Sequence, residues 1–327
     1  MTQHQVGAED AGQRLDRWLR KTYPALPQSL FQRLLRSGQI RLDGKRAKAA
    51  TPLQLGQILR LPPQLTAADA EAAPPRGEQE TPEAKAALES LRAGLLYEDR
   101  YVLALNKPVG LAVQGGSGQR ISIDRLAAGL VPPGAAAPRL VHRLDRDTSG
   151  VLLLAKTAAA ARHLAESFKG RSARKLYWAL VQGVPRRRAG RIDRALAKQG
   201  QQGQERMQAD PEGQAAETLY ATAATAGAKA SLLVLAPLTG RTHQIRAHLA
   251  AIGHPILGDF KYGATKQAGE AGLLLHAAEL AVPHPEDETT LRIAAPAPAA
   301  FLAACQSFGF ETKSAELAVA QLEARGA

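Results

Sequence analysis

Apolar residues in the first sixty positions recur first with the spacing of helices and then with the alternation of strands. Residues 15–19 carry Leu, Trp and Leu at i, i+3 and i+4, and residues 30–35 carry a second helical stripe. Residues 40–42 alternate between apolar and polar side chains before an Asp-Gly pair, which is typical of tight hairpin turns. The pattern predicts a small module of helices and strands over residues 11–61.

The rest of the chain contains short aliphatic runs that are typical of buried strands. Residues 151–155, 176–181 and 231–236 are such runs, each bounded on at least one side by Gly, Pro or a charged residue. Helical periodicity falls between them, so we predict an α+β fold with a large mixed or antiparallel sheet and flanking helices over residues 91–310. The Gln- and Gly-rich residues 199–214 are expected to form an irregular insertion.

Residues 62–90 have the composition of a linker between these two modules. Several prolines interrupt a segment that is rich in Ala and Glu and has almost no large apolar residues. The segment carries six acidic residues against two basic ones. We expect a mobile acidic tether, whose charge keeps it from competing for a polyanionic partner.

Charge and cysteine content narrow the class of partner and the compartment. The chain of 327 residues carries a formal net charge of +12, with a pI near 10.0, which favours binding to a polyanion such as RNA. It has one cysteine and no long apolar run, so we expect no internal disulfide, no Cys-based zinc cluster and no membrane span. The first residues also lack the apolar core of a secretory signal. We expect a cytoplasmic protein that acts as a monomer.

Much of the positive charge lies in the first module. Residues 1–61 contain eleven Lys and Arg against four Asp and Glu, a net charge of +7. Helical spacing places Arg17, Arg33 and Arg36 away from the apolar stripe, where they are candidates for contacts with RNA phosphates. A basic face that is merely solvated is the simpler interpretation, and the charge pattern alone leaves both open.

The densest polar segment is HRLDRDTSG at residues 142–150, which leads directly into the strand predicted at residues 151–155. It sets Asp145 and Asp147 among three residues that are cations or potential cations. As local ion pairs in a solvated turn, such charges contribute only ~0–1 kcal/mol to stability. Because loops beside core strands often carry function, the segment is equally a candidate site.

HRLDRDTSG closely resembles the signature of the RluA-type pseudouridine synthases, in which the aspartate after HRL is the nucleophile. LNKPVGLAV, KLYWALV and TGRTHQIRAH are similar to the other motifs of that family and occur in the family's order. In the first module, RLDRWL, LLRSGQIRLDGKR and LQLGQILRL are similar to the S4 RNA-binding domain. Within the family, LNKPVGLAVQGGSG and GQERM look most like the branch that modifies large-subunit (23S) ribosomal RNA.

The resemblance implies a catalytic role for three residues. Asp145 would be the nucleophile, Tyr177 would stack on the target base and act in proton transfer, and a nearby cation would keep the Asp145 carboxylate charged. We assign that cation to Arg246, with Arg241 as the alternative. The resemblance also implies that His142 and Arg143 touch the RNA or displace the target base.

Further contacts with RNA phosphates are expected from a dense run of basic residues that follows HRLDRDTSG and its strand. Consecutive arginines are better explained by binding to a phosphate backbone than by a loop that is merely solvated. From this run and from the third motif we select the following candidates: Arg174, Lys175, Arg187 and Arg241.

Pseudouridine formation breaks the N-glycosidic bond of a uridine within RNA, rotates the uracil and rejoins it through carbon 5. It needs no redox step and no group donor, so we expect no cofactor and no metal. A carboxylate either attacks covalently or assists elimination at the ribose, and the sequence does not choose between these routes.

Two other classes of function remain open from the sequence. Asp145 and Asp147 form a DxD pair, which in a sugar-nucleotide transferase would hold a divalent metal. Alternatively, the chain is a non-catalytic ribosome-assembly factor that binds RNA through its first module. Dependence on a metal would favour the transferase, and the absence of any product would favour the assembly factor.

Overall fold

The computed structural model divides the chain into two compact units, Met1–Thr81 and Pro82–Ala327. It describes residues 2–23, 28–63, 65, 81–115, 121–200, 206–263 and 272–323. The predicted mobile tether falls largely on residues 66–80, which lie outside the described residues.

The first unit has the helices and hairpin strands that the apolar pattern predicts. Its described elements are α1 (Leu15–Thr22), α2 (Gln28–Arg36), β1 (Thr2–Gln5), β2 (Arg41–Leu42), β3 (Lys45–Arg46) and β4 (Ile58–Leu61). The strands form an antiparallel sheet in the order β1-β4-β2-β3. Leu15, Trp18 and Leu19 are buried in the core of this unit, as their helical spacing predicts.

The first unit begins earlier than the predicted boundary at residue 11. β1 pairs with β4 from Thr2 to Gln5, and Val6, directly after it, is buried. β1 has the sequence Thr-Gln-His-Gln and faces mostly solvent. It therefore lacks the apolar alternation by which a strand is recognised in a sequence.

Ten strands of the second unit's described residues form one mixed sheet, in the order β10-β13-β14-β9-β15-β8-β6-β5, with β16 beside β15 and β7 beside β8. The neighbouring pairs are antiparallel, except that β8 and β15 are parallel. The strands of this unit, including the separate hairpin β11-β12, are β5 (Leu95–Glu98), β6 (Val102–Lys107), β7 (Arg139–Leu140), β8 (Ser149–Ala155), β9 (Arg174–Gln182), β10 (Ala189–Asp193), β11 (Leu196–Gln199), β12 (Arg206–Ala209), β13 (Glu217–Ala226), β14 (Ala230–Pro237), β15 (Leu275–Pro283) and β16 (Thr290–Ala294). The predicted α+β fold with a large mixed sheet is confirmed.

Helices flank this sheet. They are α3 (Pro82–Ala93), α4 (Ile123–Leu126), α5 (Ala158–Gly170), α6 (Gln244–Ala251), α7 (Ala299–Ser307) and α8 (Lys313–Glu323). Thr157 caps α5 by accepting a hydrogen bond from the Ala160 amide, as the sequence predicts. Among the described residues, every helix is too short or too polar to cross a membrane.

The predicted linker extends too far toward the second module. α3 occupies residues 82–93, and its Ala84 and Leu91 are buried in the second unit. Because this helix buries so few side chains, its sequence is rich in alanine and glutamate and resembles that of a linker. Residues 82–90 therefore belong to the second unit and not to the tether.

Two further predictions about the second module are wrong. The module continues past residue 310, because α8 packs on β13 and β14 with Ala315 and Leu322 in the core. Residues 199–214, expected to be irregular, contain β12, which pairs with β11 in a hairpin. Residues 201–205, which connect these two strands, lie outside the described residues.

Strand pairing at the centre of the sheet brings the predicted site residues near one another. β8 and β15 pair in parallel at Gly150 and Ala277, and Ala277 also pairs with Tyr177 on β9. A side chain at position 150 would overlap the Ala277 carbonyl, and the φ of +111° there favours glycine. The loop that carries Asp145 precedes β8, so it approaches Tyr177 across one intervening strand.

Candidate active site

A cavity of about 340 Å³ opens at the centre of the large sheet, and the three residues expected to be catalytic line it. Its wall comes from the loop before β8, from α5 and β9, and from the first turn of α6 with the segment that leads into it from β14. Asp145, Tyr177 and Arg246 thus come together from three separate parts of the second unit.

A buried lysine holds the turn that carries Asp145. Nζ of Lys107 donates hydrogen bonds of 2.8 Å to the backbone oxygens of Pro108, Leu111 and Arg146. Arg146 directly follows Asp145, so Lys107 joins the end of β6 to the loop of the predicted nucleophile. The side chain of Asp145 itself is 20% exposed.

Lys107 is a residue that the sequence does not single out, although it belongs to LNKPVGLAV, one of the segments similar to the family's motifs. Burial lowers its pKa to about 7, and the charges of Asp147 and Asp145 act in the opposite direction. Its three carbonyl acceptors favour the ammonium form, since only that form has three hydrogens to donate. A lysine at the end of an apolar strand, directly before a proline, is the signal that identifies such a position.

Arg246 is the arginine that contacts Asp145, and a second aspartate holds it in place. Nη1 of Arg246 lies 3.4 Å from Oδ2 of Asp145. Its Nε and Nη2 donate to the two carboxylate oxygens of Asp259 at 2.7 and 2.8 Å. Burial alone would lower the pKa of Arg246, but Asp259 and Asp145 raise it above its usual value. Arg241, the alternative cation, donates to the backbone oxygen of Ala215 instead.

Asp259 supports the site from a buried position that the sequence does not reveal. We expect Asp259→Asn to lower the free energy of unfolding by roughly 3–5 kcal/mol, because it leaves Arg246 buried without its main charge partner. Chemical denaturation measures the change. Asp147→Asn is the matched control, since Asp147 and its partner Arg146 are 40% and 60% exposed.

The control substitution should lower the free energy of unfolding by no more than ~1 kcal/mol, as is usual for exposed pairs. Equal destabilisation by the two substitutions would contradict a special role for the buried pair.

Tyr177 and Lys175 line the cavity because alternate residues of β9 face the same side of the sheet. Burial raises the pKa of Tyr177, and the negative charge of Asp145 raises it further, so the phenol stays protonated. Burial likewise lowers the pKa of Lys175. Arg174 faces the other side, in a separate depression with Arg292, so the structure does not bring it to the cavity.

The other arginines expected to contact RNA are distributed unevenly. Arg143 and Arg241 are exposed at the cavity. Arg187 is also exposed, but it is not among the residues that line the cavity. Its contact with RNA stays a prediction.

His142 is committed to the fold of the loop. Its Nε2 accepts a hydrogen bond of 2.8 Å from the Leu153 amide, and its ring stacks on Phe168 with centroids 4.5 Å apart. Burial lowers its pKa to about 3, with a further contribution from Lys175, so the ring is neutral. The ring thus ties the Asp145 loop to β8 and also lines the cavity, and its predicted contact with the RNA or displacement of the target base stays a prediction.

Arg17, Arg33 and Arg36 lie on the first unit, where they are exposed on the helices. They point away from the buried side chains of α1 and α2, as the helical spacing predicts. Their contact with RNA phosphates stays a prediction.

Each carboxylate of the DxD pair contacts an arginine. Asp145 is engaged by Arg246, and Asp147 is engaged by Arg146 at 3.1 Å. Within the part of the chain that the structure describes, no group of three or more His, Cys, Asp or Glu side chains is placed to hold a metal. Arginines on both carboxylates disfavour the transferase hypothesis, and metal independence stays a prediction.

Comparison with known families finds two matches along the chain. The model of the RNA pseudouridylate synthase family matches residues 101–251, and the S4 domain model matches residues 13–59. The first covers Asp145, Tyr177 and Arg246, and the second covers the helices that carry Arg17, Arg33 and Arg36.

Curated proteins and solved structures agree with these matches. The ribosomal large subunit pseudouridine synthase C of Vibrio cholerae is 40% identical over 299 residues, which cover 89% of this chain and 91% of that protein. The protein of the same name from Escherichia coli K12 is 40% identical over 302 residues, with the same coverage of both chains.

Among solved structures, human RNA pseudouridylate synthase domain containing 4 has a TM-score of 0.58 and 28% identity, covering 68% of this chain and 96% of its own. Human RNA pseudouridylate synthase domain containing 1 has a TM-score of 0.53 and 29% identity, covering 63% and 83%. With such identity to the bacterial proteins across most of both chains, and with the site residues in place around one cavity, this chain belongs to the RNA pseudouridylate synthase family.

Proposed function

We propose that this protein converts specific uridines of large-subunit (23S) ribosomal RNA to pseudouridine, with Asp145 as the nucleophile. The observation that carries the proposal is the Asp145 carboxylate, which lies in the cavity wall 3.4 Å from Arg246 and shares that wall with Tyr177. The names of the bacterial relatives support ribosomal RNA as the substrate.

The cavity supplies the groups that the reaction needs. A target uridine must leave its stack to reach Asp145, at a cost of a few kcal/mol. The ring of Tyr177 offers a surface on which the extruded base stacks, and its protonated phenol is available for proton transfer. Arg246 stabilises the negative charge on Asp145 before the carboxylate attacks the substrate or assists elimination.

RNA contacts extend beyond the cavity in this proposal. Lys175, Arg143 and Arg241 contact phosphates next to the extruded uridine. Arg174 and Arg187 contact more distant parts of the RNA, and Arg17, Arg33 and Arg36 bind it through the S4 domain. The proposal includes a protein that acts as a monomer, and a ribosomal RNA substrate supports a cytoplasmic location.

The decisive experiment maps pseudouridines in ribosomal RNA from cells with and without the gene. We expect one or more positions in 23S ribosomal RNA to lose pseudouridine, and the intact gene, but not a variant with Asp145→Asn, to restore them. Loss confined to another RNA would refute the proposed substrate. An unchanged pattern in every RNA would favour the assembly-factor hypothesis.

Purified protein should form pseudouridine at an unchanged rate in excess EDTA. The arginines on Asp145 and Asp147 leave no carboxylate pair poised for a divalent ion. The assay needs RNA that is folded without Mg²⁺, or a short unstructured RNA, so that chelation acts only on the protein. Activity that returns only with added Mg²⁺ or Mn²⁺ would revive the transferase hypothesis.

A further inference from the structure

His243 faces the Asp145 carboxylate, and neither its motif nor its spacing suggests a function for it. Its Nε2 lies 3.8 Å from Oδ2 of Asp145, the same oxygen that Nη1 of Arg246 approaches at 3.4 Å. The His243 distance exceeds that of a hydrogen bond, but contacts between active-site groups commonly shorten when substrate binds. Oδ1 of Asp145 has no partner among the described residues.

The backbone holds His243 in an unusual conformation. Its φ of 50° and ψ of 23° lie in the left-handed region, directly before α6. Non-glycine residues keep such a conformation only when their surroundings hold them, and these positions cluster at functional sites. The ring of Tyr262 packs edge-on against the imidazole, with centroids 5.7 Å apart, and the guanidinium of Arg246 lies over the same ring at 5.1 Å. Tyr262 therefore positions both partners of Asp145.

The contact with Tyr262 is the basis for assigning which nitrogen of His243 carries its hydrogen. The Met207 amide donates to the phenol oxygen of Tyr262 at 3.1 Å, and this oxygen lies 3.0 Å from Nδ1 of His243. Nδ1 is the acceptor that the described residues offer to the phenol hydrogen, and we assign the hydrogen bond in that direction. The hydrogen of the neutral imidazole then lies on Nε2, which is the nitrogen that faces the carboxylate.

The side chains of His243 and Tyr262 are both uncharged at neutral pH. Burial lowers the pKa of His243, and Arg246 and Lys261 lower it further against the opposing charges of Asp145 and Asp259. Burial also raises the pKa of Tyr262. A neutral imidazole donates a hydrogen bond to the carboxylate without neutralising its negative charge.

We propose that His243 is a positioning residue for Asp145, whose Oδ2 is anchored by the His243 Nε2–H and by Arg246 so that Oδ1 meets the substrate. The inference rests on the proposed role of Asp145 as the nucleophile. Two donors on one oxygen hold the carboxylate in a single orientation, which presents the other oxygen at a fixed place in the cavity. Tyr262 acts through His243, by fixing its tautomer.

Two variants of similar size separate hydrogen bonding from packing at this position. His243→Gln keeps a side-chain N–H near the place of Nε2, whereas His243→Leu removes it. Turnover is measured as tritium released from a 23S ribosomal RNA transcript labelled at C5 of uridine, because the new bond from C5 to C1′ replaces the C5–H bond.

With protein in excess over RNA, we expect His243→Leu to lower the single-turnover rate by roughly 10- to 100-fold, as for a lost hydrogen bond to a charged group. His243→Gln should recover most of that loss. The dissociation constant for the same transcript should stay within about twofold in both variants, because phosphate contacts dominate affinity.

Equal losses of rate in the two variants would reveal a packing role and overturn the proposal, as would a wild-type rate in His243→Leu. Asp145→Asn measured in the same assay tests the proposed function separately. If Asp145→Asn is active, the nucleophile is wrongly assigned. If it is inactive while His243→Leu is fully active, only the role of His243 fails.

Nitrogen-15 spectra of the histidine rings test the tautomer in the unmodified protein, so this test does not depend on a variant that folds. We expect His243 to carry its hydrogen on Nε2, and Tyr262→Phe to produce a mixture of the two tautomers. Signals that disappear in His243→Gln identify the residue. A hydrogen on Nδ1 in the unmodified protein would overturn the proposal.

Discussion

Asparagine in place of Asp145 is expected to abolish pseudouridine formation while leaving a folded protein that binds RNA. The amide has the size of the carboxylate but lacks its charge and its nucleophilic oxygen, so turnover should fall by at least ~10³-fold. Arg246 keeps both hydrogen bonds to Asp259, and the Asp145 side chain is partly exposed in a loop, so the fold should persist.

Tritium release from C5-labelled RNA and affinity for the same RNA, measured on one preparation, check this expectation. Asp147→Asn is the matched control. It removes the same charge two residues further along the chain, from a carboxylate that forms an exposed ion pair with Arg146. The control should retain at least part of the activity. Normal turnover by Asp145→Asn, or an equal loss in both variants, would contradict the assignment of Asp145.

The parts of the site that lie close together in the chain are the parts that the sequence predicts well. Asp145 and its turn form one continuous motif, and the strand that follows is buried over its whole length. Arg246 follows from its motif and its place beside the apolar stripe of α6. Asp259 is not among the predicted site residues, because only folding brings it from a separate segment to the guanidinium of Arg246.

The direction in which a side chain points is the second feature of the site that is hard to predict from the sequence. Arg174 and Lys175 are adjacent and both basic, yet the alternation of β9 places them on opposite faces of the sheet. Lys175 lies two residues before Tyr177 and Arg174 lies three, so the alternation predicts that only Lys175 shares the face of Tyr177. Arg187 does not line the cavity, and no local pattern in the sequence shows on which side of the fold an arginine of that loop lies.

Composition is also a poor guide where a helix buries little. α3 has the alanines and acidic residues of a tether, and a few small or leucine side chains attach it to the second unit. β1 shows the opposite case, a polar strand held by backbone pairing with β4 and not by an apolar face. Both elements become visible only through their neighbours in the fold.

Deletion of the first unit is expected to leave an intact catalytic site that binds RNA weakly. The truncated chain should begin at Pro82, since a start at residue 91 would remove most of α3 and its buried Ala84. Every residue of the proposed site follows Pro82, so turnover of short RNA should persist at high concentrations. What is lost is the segment that carries a net charge of +7.

Salt dependence reveals whether that segment binds phosphates. Each lost contact flattens the slope of log K against log salt by ~0.9 for duplex RNA or ~0.7 for single strands. If Arg17, Arg33 and Arg36 make three such contacts, the slope should flatten by roughly two to three units, with affinity ~10²-fold weaker at 0.1 M salt and nearly unchanged near 1 M. The full chain with these arginines changed to glutamine is the control and should show the same flattening. If the full and truncated chains bind ribosomal RNA with equal affinities and slopes, the S4 domain is not the RNA-binding surface of this protein.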